Sequence, residues 1–90
     1  MTDRFEVVLT RSARRALTHG LPETVAAAVF EFIDGPLREN PYRVGKALRE
    51  PLTPLYSARR GDYRVLYRIE EGRLVVVVVS VDHRRDAYRR

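Results

Sequence analysis

Several features that define common protein classes are missing from this chain of 90 residues. It has no cysteine, which excludes disulfides, a thiolate nucleophile and a cysteine-based zinc site. Residues 1–15 carry charges throughout and contain no apolar stretch, so we expect no secretory signal peptide. The longest apolar run, residues 74–79, is too short to cross a bilayer. These absences favour a cytoplasmic protein without a membrane partner.

Sequence motifs for nucleotide binding, serine hydrolases and zinc proteases are also absent. The two histidines, His19 and His83, are far apart in the sequence, and neither is accompanied by a set of acidic ligands. We therefore expect no metal ion and no organic cofactor. Asp82 and Asp86 lie closer together, but each is better explained as an ion-pair partner of neighbouring arginines than as one of two catalytic carboxylates.

The chain is strongly basic, with 17 basic and 12 acidic residues and a net charge of +5. Lys46 is the single lysine, so all other basic residues are arginines. Such a charge suits a partner that is rich in phosphate, above all a nucleic acid. An acidic protein partner and a simple contribution to solubility are the alternatives that composition leaves open.

The pattern of apolar residues predicts an α+β fold with the order β-α-α-β-β-β in a single domain, residues 1–90. Residues 4–9 alternate between two faces, as a half-buried strand does. Two short helices follow, the second with a continuous apolar stripe. We expect them to form a hairpin that packs on one face of a small, mostly antiparallel sheet.

The predicted helix boundaries depend on capping residues. Thr10 or Ser12 offers an N-cap for the first helix, and Gly20 offers a left-handed residue at its C-terminal end. Pro22 suits the first turn of the second helix. Gly35-Pro36 should kink or end that helix, since proline lacks the N–H that a helix interior uses. The alternative is a last turn that carries Leu37 and ends before Asn40-Pro41.

The second half of the chain predicts a loop and then three strands. Residues 40–54 contain three prolines and a glycine, which indicates a loop that crosses the sheet surface. The strands and turns expected after it are residues 56–60, Gly61-Asp62, residues 63–69, a tight turn at Glu71-Gly72, and residues 74–81. The last strand lacks alternation, so both of its faces should be covered, and the first strand is expected beside it.

Arginine, tyrosine and histidine side chains gather at the ends of these strands. His83, Arg84 and Tyr88 follow the last strand, and Arg59 and Arg64 lie on the two strands before it. Arginine binds phosphate and stabilises added negative charge, whereas histidine and tyrosine can move protons. The set suits metal-free cleavage of RNA by its own 2′-hydroxyl, which DNA lacks.

Each of these residues also has a purely structural interpretation. Arg64 suits an exposed strand position, and Arg59 and Arg60 suit the flanks of a turn. Arg84 has aspartates close by in the sequence with which it can pair. Tyr88 is able to cover the core beneath the last strand. The pattern of residues leaves both interpretations open.

Three segments give the chain a resemblance to a known family. They are Asn40-Pro41-Tyr42-Arg43-Val44-Gly45-Lys46-Ala47-Leu48, Leu55-Tyr56-Ser57-Ala58-Arg59-Arg60-Gly61-Asp62-Tyr63-Arg64-Val65-Leu66-Tyr67-Arg68-Ile69 and His83-Arg84-Arg85-Asp86-Ala87-Tyr88. Together they resemble the RelE branch of the RelE/ParE toxin superfamily, over essentially the whole chain and in the same order of elements.

The resemblance implies the toxin of a bacterial type II toxin–antitoxin pair, which enters the ribosome and cuts mRNA by 2′-hydroxyl attack. It implies that Arg64 holds the scissile phosphate and that Arg84 stabilises the transition state or protonates the leaving group. Tyr88 matches the tyrosine that stacks on an mRNA base. Arg59 matches a second basic strand position of the family.

The chain departs from the family pattern at the residue expected to remove a proton. Ser57 stands where well-studied members have a lysine that is sometimes assigned as the general base, and the segment between Arg84 and Tyr88 is shorter. His83 is therefore a candidate acid or base. Further contacts to RNA or the ribosome are expected from Lys46, Arg60 and Arg85.

The partners implied by the resemblance are the ribosome with its mRNA and a small acidic antitoxin similar to RelB. Operator DNA is expected to be reached only through the antitoxin. Two other functions share the fold: a ParE-like poison of DNA gyrase, and a degenerate toxin that only binds its antitoxin and represses its own operon.

Overall fold

The computed structural model describes residues 4–83, which form a five-stranded sheet with two helices packed on one face. The strands are β1 (Glu6–Leu9), β2 (Lys46–Ala47), β3 (Tyr56–Arg60), β4 (Tyr63–Glu70) and β5 (Val75–His83). The helices are α1 (Arg11–Arg15) and α2 (Glu23–Phe32), each continued by a π-helical segment, Ala16–Gly20 and Ile33–Leu37. The predicted α+β class, with two helices on a mostly antiparallel sheet, is confirmed, and the observed order contains the predicted β-α-α-β-β-β with one additional strand, β2. No helix of this part of the chain has the length and apolar character needed to cross a membrane.

The sheet has the strand order β1-β5-β4-β3-β2. β3, β4 and β5 form an antiparallel meander, whereas β1 is parallel to β5 and pairs with it from Glu6–Val75 to Leu9–Val78. A parallel pair needs a long crossover, and the two helices belong to the part of the chain that supplies it. The expected place of the first strand beside the last one is confirmed.

The hydrophobic core lies between the helices and the sheet. Val76 and Val78 of β5 are fully buried there with Phe32 of α2. On the other face of β5, Val75 and Val77 are only 5% and 8% exposed. Both faces of this strand are therefore covered, which explains why its sequence shows no alternation.

The start of α1 agrees with the prediction, but its end does not. Thr10 is the N-cap, since its Oγ1 accepts a 3.2 Å hydrogen bond from the backbone N–H of Ala13. The prediction that Gly20 ends the helix in a left-handed conformation was wrong, because Gly20 lies in the π-helical segment and has no positive φ. Instead, the N–H of Leu21 donates to the carbonyl of Ala16, which satisfies the last turn without a left-handed residue.

The second helix passes through the proline that was expected to kink or end it. Pro36 lies inside the π-helical segment, in which hydrogen bonds join residues five apart. Proline then costs the helix a donor but does not stop the chain from completing the turn. Leu37, at the end of the segment, is fully buried, and its burial stabilises the continuation.

Part of the predicted surface loop is an edge strand. β2 pairs antiparallel with β3, with Lys46 opposite Ser57 and Ala47 opposite Tyr56. The prediction of a loop was wrong for these positions because two residues are too few to show a periodic pattern. The loop before β2 is fixed by Tyr67, whose hydroxyl donates a 2.7 Å hydrogen bond to the carbonyl of Pro41.

One of the two predicted turns has a different form. Gly61 takes a positive φ of 61° between β3 and β4, in the turn expected there. The tight turn predicted at Glu71-Gly72 was wrong, because β4 and β5 are joined by a 3-10 turn, Glu71–Arg73, followed by Leu74. It is Leu74 that takes the left-handed conformation, with φ 53°, and its N–H donates to the carbonyl of Glu71.

Candidate functional site

Two arginines face each other on the side of the sheet away from the helices. Arg59 of β3 and Arg64 of β4 are register partners, and such residues have Cβ atoms about 4.5–5.5 Å apart. Their neighbours Ala58 and Val65 belong to the core, so the alternation of a strand sends both guanidinium groups to the opposite face. Like charges placed directly opposite destabilise a sheet. The pairing of Arg59 with Arg64 therefore carries a repulsion that a bound anion would relieve.

The register extends this row onto β5, where Asp82 is the partner of Arg64. Across β3, β4 and β5 this row contains the positive charges of Arg59 and Arg64 and the negative charge of Asp82. Arg59 is exposed, whereas Arg64 and Asp82 are half-buried. Asp82 is thus the cross-strand neighbour of Arg64 on one side, and Arg59, on the other side, presents its charge to solvent.

A second row on the same face begins with Lys46. Lys46 pairs with Ser57, Ser57 with Leu66 and Leu66 with Ser80. Because Ser57 precedes Arg59 by two residues, Lys46 and Arg59 lie on one face. We call the residues Lys46, Arg59 and Arg64 the basic sheet surface. It unites three of the residues that were predicted from the sequence to act on RNA.

Ser57 occupies a closed position within this face. It stands where the family resemblance places a lysine, yet it is only 7% exposed, and its hydroxyl group has no hydrogen-bond partner in the described part of the chain. A buried serine hydroxyl is not a base at neutral pH. The structure therefore supplies no proton acceptor at the position where the family pattern has one.

Arg60 and His83 lie on the other face of the sheet, the one that carries the helices. They form a cross-strand row with Tyr63 between them. The guanidinium carbon of Arg60 lies 3.7 Å from the ring centroid of Phe32 on α2, a cation–π contact. The ring of His83 meets that of Tyr63 edge to face, with centroids 5.3 Å apart.

From the sequence we did not predict that Arg60 and His83 lie on the opposite face of the sheet from the basic sheet surface. The signal was present in β3, since adjacent residues such as Arg59 and Arg60 must point to opposite faces. On β5, only the pairing of His83 with Tyr63 shows which face the histidine takes. Arg84, Arg85 and Tyr88 lie outside the described residues, and the roles predicted for them stay predictions.

Comparison with known proteins decides the family. A family model described as the ParE toxin of the type II toxin–antitoxin system, parDE, matches residues 7–88. The chain belongs to the RelE/ParE toxin superfamily.

Within this superfamily, the toxin is similar to members of the RelE branch. Toxin RelG of Mycobacterium tuberculosis is 52% identical over 86 residues, which cover 96% of this chain and 98% of that protein. Toxin RelE of the same organism is 48% identical over 85 residues, which cover 94% and 87%. The protein is therefore a RelE-branch toxin of a type II toxin–antitoxin system, as its sequence motifs predicted.

Solved structures agree with this assignment. A chain of the RelBE2 toxin–antitoxin complex from Mycobacterium tuberculosis has 50% identity and a TM-score of 0.84, covering 89% of this chain and 98% of that one. The archaeal RelE–RelB complex from Pyrococcus horikoshii OT3 matches at 28% identity and a TM-score of 0.70, covering 93% and 97%. Isolated Escherichia coli RelE, at 20% identity and a TM-score of 0.71, shares the fold.

Proposed function

We propose that this toxin is a metal-independent endoribonuclease that cleaves mRNA on the ribosome and so inhibits translation. The observation that carries the proposal is the directly opposed pair Arg59 and Arg64 on the face of the sheet without helices. A pair that destabilises the isolated sheet becomes favourable once a phosphate lies between its charges.

In the proposed reaction, the 2′-oxygen of one nucleotide attacks the neighbouring phosphorus, and the bond from phosphorus to the 5′-oxygen breaks. The products are a 2′,3′-cyclic phosphate and a 5′-hydroxyl end, and one proton moves from the 2′-oxygen to the 5′-oxygen overall. Arg64 holds the scissile phosphate, and Arg59 shares the negative charge that develops on its oxygens.

The remaining roles in the proposal come from the family resemblance. Arg84 stabilises the transition state or protonates the leaving 5′-oxygen, and Tyr88 stacks on a base and orients it. Lys46, at the rim of the basic sheet surface, binds the RNA backbone. Arg85 and Arg60 add to the positive field that attracts the ribosome and its mRNA.

We further infer that a small acidic antitoxin similar to RelB neutralises this toxin in the cytoplasm, and that operator DNA is reached only through that antitoxin. Two kinds of observation support the inference. Similar toxins have been solved as complexes with RelB. The net charge of +5 also favours an acidic partner.

The test is induction of the toxin in cells, followed by mapping of the 5′ ends of mRNA. We expect cuts in phase with codons in translated messages, and growth arrest. Arg64→Ala should reduce cleavage about 100- to 1,000-fold, as loss of one charge-stabilising group does in other enzymes, while antitoxin binding persists. Arg49→Ala, at an exposed position outside the sheet, is the matched control and should leave cleavage intact. Growth arrest without codon-phased cuts would contradict the proposal.

A ParE-like poison of DNA gyrase is the second candidate, because the family model that matches is the ParE toxin. The two functions are separated by a supercoiling assay with purified gyrase and toxin. Gyrase inhibition without mRNA cleavage would favour the ParE function. A toxin that binds its antitoxin but causes neither effect would be degenerate.

A further inference from the structure

Helix α1 carries three exposed arginines and no acidic residue. They are Arg11, Arg14 and Arg15, and none of them forms a salt bridge among the described residues. Arg11 and Arg15 are four residues apart and therefore lie on one side of the helix, where like charges repel. The helix thus carries three positive charges that no salt bridge of the described residues neutralises.

Arg11 and Arg15 line a cleft of about 640 Å³ between α1 and the end of β5. The opposite wall is formed by Val81 and Asp82. Among residues 4–83, β1 pairs with β5 only as far as Val78, and no described strand adjoins β5 on this side beyond that point. The two arginines therefore lie beside the end of β5, where α1 rather than a strand is its neighbour.

The position of α1 along this edge is fixed by its N-cap. The hydroxyl of Thr10 donates a hydrogen bond to the carbonyl of Val79, and the N–H of Thr10 donates to the carbonyl of Val78 at 3.1 Å. The first turn of α1 is thus attached to the strand that forms the other wall of the cleft. Arg11 follows Thr10 directly, so its backbone is placed by these bonds.

The cleft lies next to the basic sheet surface, with the carboxylate of Asp82 between them. Asp82, which lines the cleft, is the register partner of Arg64, and Arg64 is the partner of Arg59. Neighbouring strands lie about 4.8 Å apart, so the cleft begins roughly 10 Å across the sheet from Arg59. A single RNA strand bound at the arginine pair can reach the cleft by passing over the end of β5.

We propose that Arg11 and Arg15 bind a backbone phosphate of RNA outside the cleavage position. The proposal rests on the proposed function, since the basic sheet surface supplies the neighbouring RNA contact. Arginine forks match phosphate oxygens in pairs, and two of them on one side of a helix suit such a ligand. The other lining residues, Ser12, Ala16, Gly20, Val81 and Asp82, carry no positive charge, so the phosphate is proposed to lie at Arg11 and Arg15.

The experiment measures binding rather than cleavage. Wild-type toxin and the double variant Arg11→Gln/Arg15→Gln are titrated with a short fluorescent single-stranded RNA whose 2′-hydroxyls are methylated, so that it cannot be cut. The control Arg49→Gln/Arg73→Gln removes the same charge from exposed positions away from the cleft. We expect the cleft variant to bind about tenfold more weakly and to lower the slope of log K against log salt by about 0.7 for each phosphate that it no longer binds. The control should change affinity less than twofold. Equal weakening by both variants would overturn the proposal, because only net charge would then matter.

Two further arms identify the source of the phosphate and the type of partner. If the phosphate belongs to mRNA, the cleft variant loses affinity for the oligonucleotide; if it belongs to ribosomal RNA, the variant loses affinity for ribosomes without mRNA, measured by co-sedimentation. Either result supports the proposal. Unchanged binding to both RNAs, with weakened binding to the acidic antitoxin alone, would overturn it.

Cleavage that depends on Arg64, with RNA binding unchanged in the cleft variant, would contradict only the proposal for the cleft. Absence of cleavage by wild-type toxin, with the expected binding difference, would contradict only the proposed function.

Discussion

Arg59 and Arg64 lie directly opposite each other on β3 and β4, and buried residues on the other face of the sheet fix this register. The neighbours Ala58 and Val65 are buried in the core between sheet and helices. A slip of one residue in either strand would exchange the buried and the exposed sets. The packing that stabilises the fold therefore also fixes two repelling charges beside each other.

Removal of one of these charges should stabilise the protein while it impairs the toxin. We expect Arg59→Gln to raise the free energy of unfolding by about 0.5 kcal/mol, because like charges opposite each other in a sheet are unfavourable by this order. Urea unfolding at low salt measures the gain, which should shrink as salt screens the pair. Arg49→Gln is the control, because Arg49 is exposed and lies outside the sheet. Unchanged stability of Arg59→Gln at low salt would show that the pair is not repulsive.

The elements with strong patterns were predictable from the sequence, and the short or irregular ones were not. The alternation around Val65 and the unbroken valines of β5 indicated the strands, their burial and the place of β1. The two-residue strand at Lys46 depends on a partner strand that no local pattern reveals. The π-helical continuation through Pro36 depends on burial of Leu37, a tertiary effect that overrides the local preference of proline.

The candidate site was predictable in part for the same reason. Arg59 and Arg64 follow the alternation of their strands, so their common face could be inferred once the pairing was assumed. The role of Arg60 in RNA binding stays a prediction, and its contact with the ring of Phe32 joins β3 to a helix that is far away in the sequence. Contacts between residues far apart in sequence are set by the fold and cannot be inferred from the local pattern.

His83 provides a test of proton transfer in the proposed reaction. Its position in the row with Tyr63 directs it to the helix-covered face, whereas the phosphate is proposed to bind on the other face. We expect His83→Gln to keep cleavage within about tenfold of wild type and to leave the shape of the pH–rate profile unchanged. Single-turnover cleavage of ribosome-bound mRNA between about pH 5 and 8 covers the range in which histidine ordinarily titrates. Loss of one limb of the pH–rate profile in the variant would instead assign His83 as the acid or base.

Gly45 should be intolerant of a side chain, although its backbone conformation is ordinary. A Cβ at this position would lie 2.9 Å from Cζ of Tyr67 and would overlap the hydroxyl group of that ring. We expect Gly45→Ala to lower the free energy of unfolding by about 1–3 kcal/mol, because the buried ring of Tyr67, which is hydrogen-bonded to the carbonyl of Pro41, cannot move aside. Gly35→Ala is the matched control: no atom lies within 4 Å of its added carbon, and alanine in a helical segment should stabilise by up to about 1 kcal/mol. Equal effects in denaturant unfolding would refute the proposed crowding.

Tyr67 should make the stability of the toxin depend on pH in the alkaline range. Burial raises the pKa of its phenol well above the ordinary value of 10.0, and the neighbouring Tyr56 adds to the shift. Below about pH 10 the group is protonated in both states, so its contribution is fully present. Above that pH the unfolded chain loses the proton while the folded protein keeps it.

The free energy of unfolding contributed by Tyr67 should therefore fall by up to about 1.4 kcal/mol per pH unit above about pH 10. In Tyr67→Phe this part of the slope should disappear. The variant should also be less stable by about 1 kcal/mol at neutral pH, because the carbonyl of Pro41 loses its donor. Urea unfolding of both proteins at neutral pH and at several alkaline values separates the two effects. A variant whose stability declines with pH as steeply as that of the wild type would show that Tyr67 is not the group responsible.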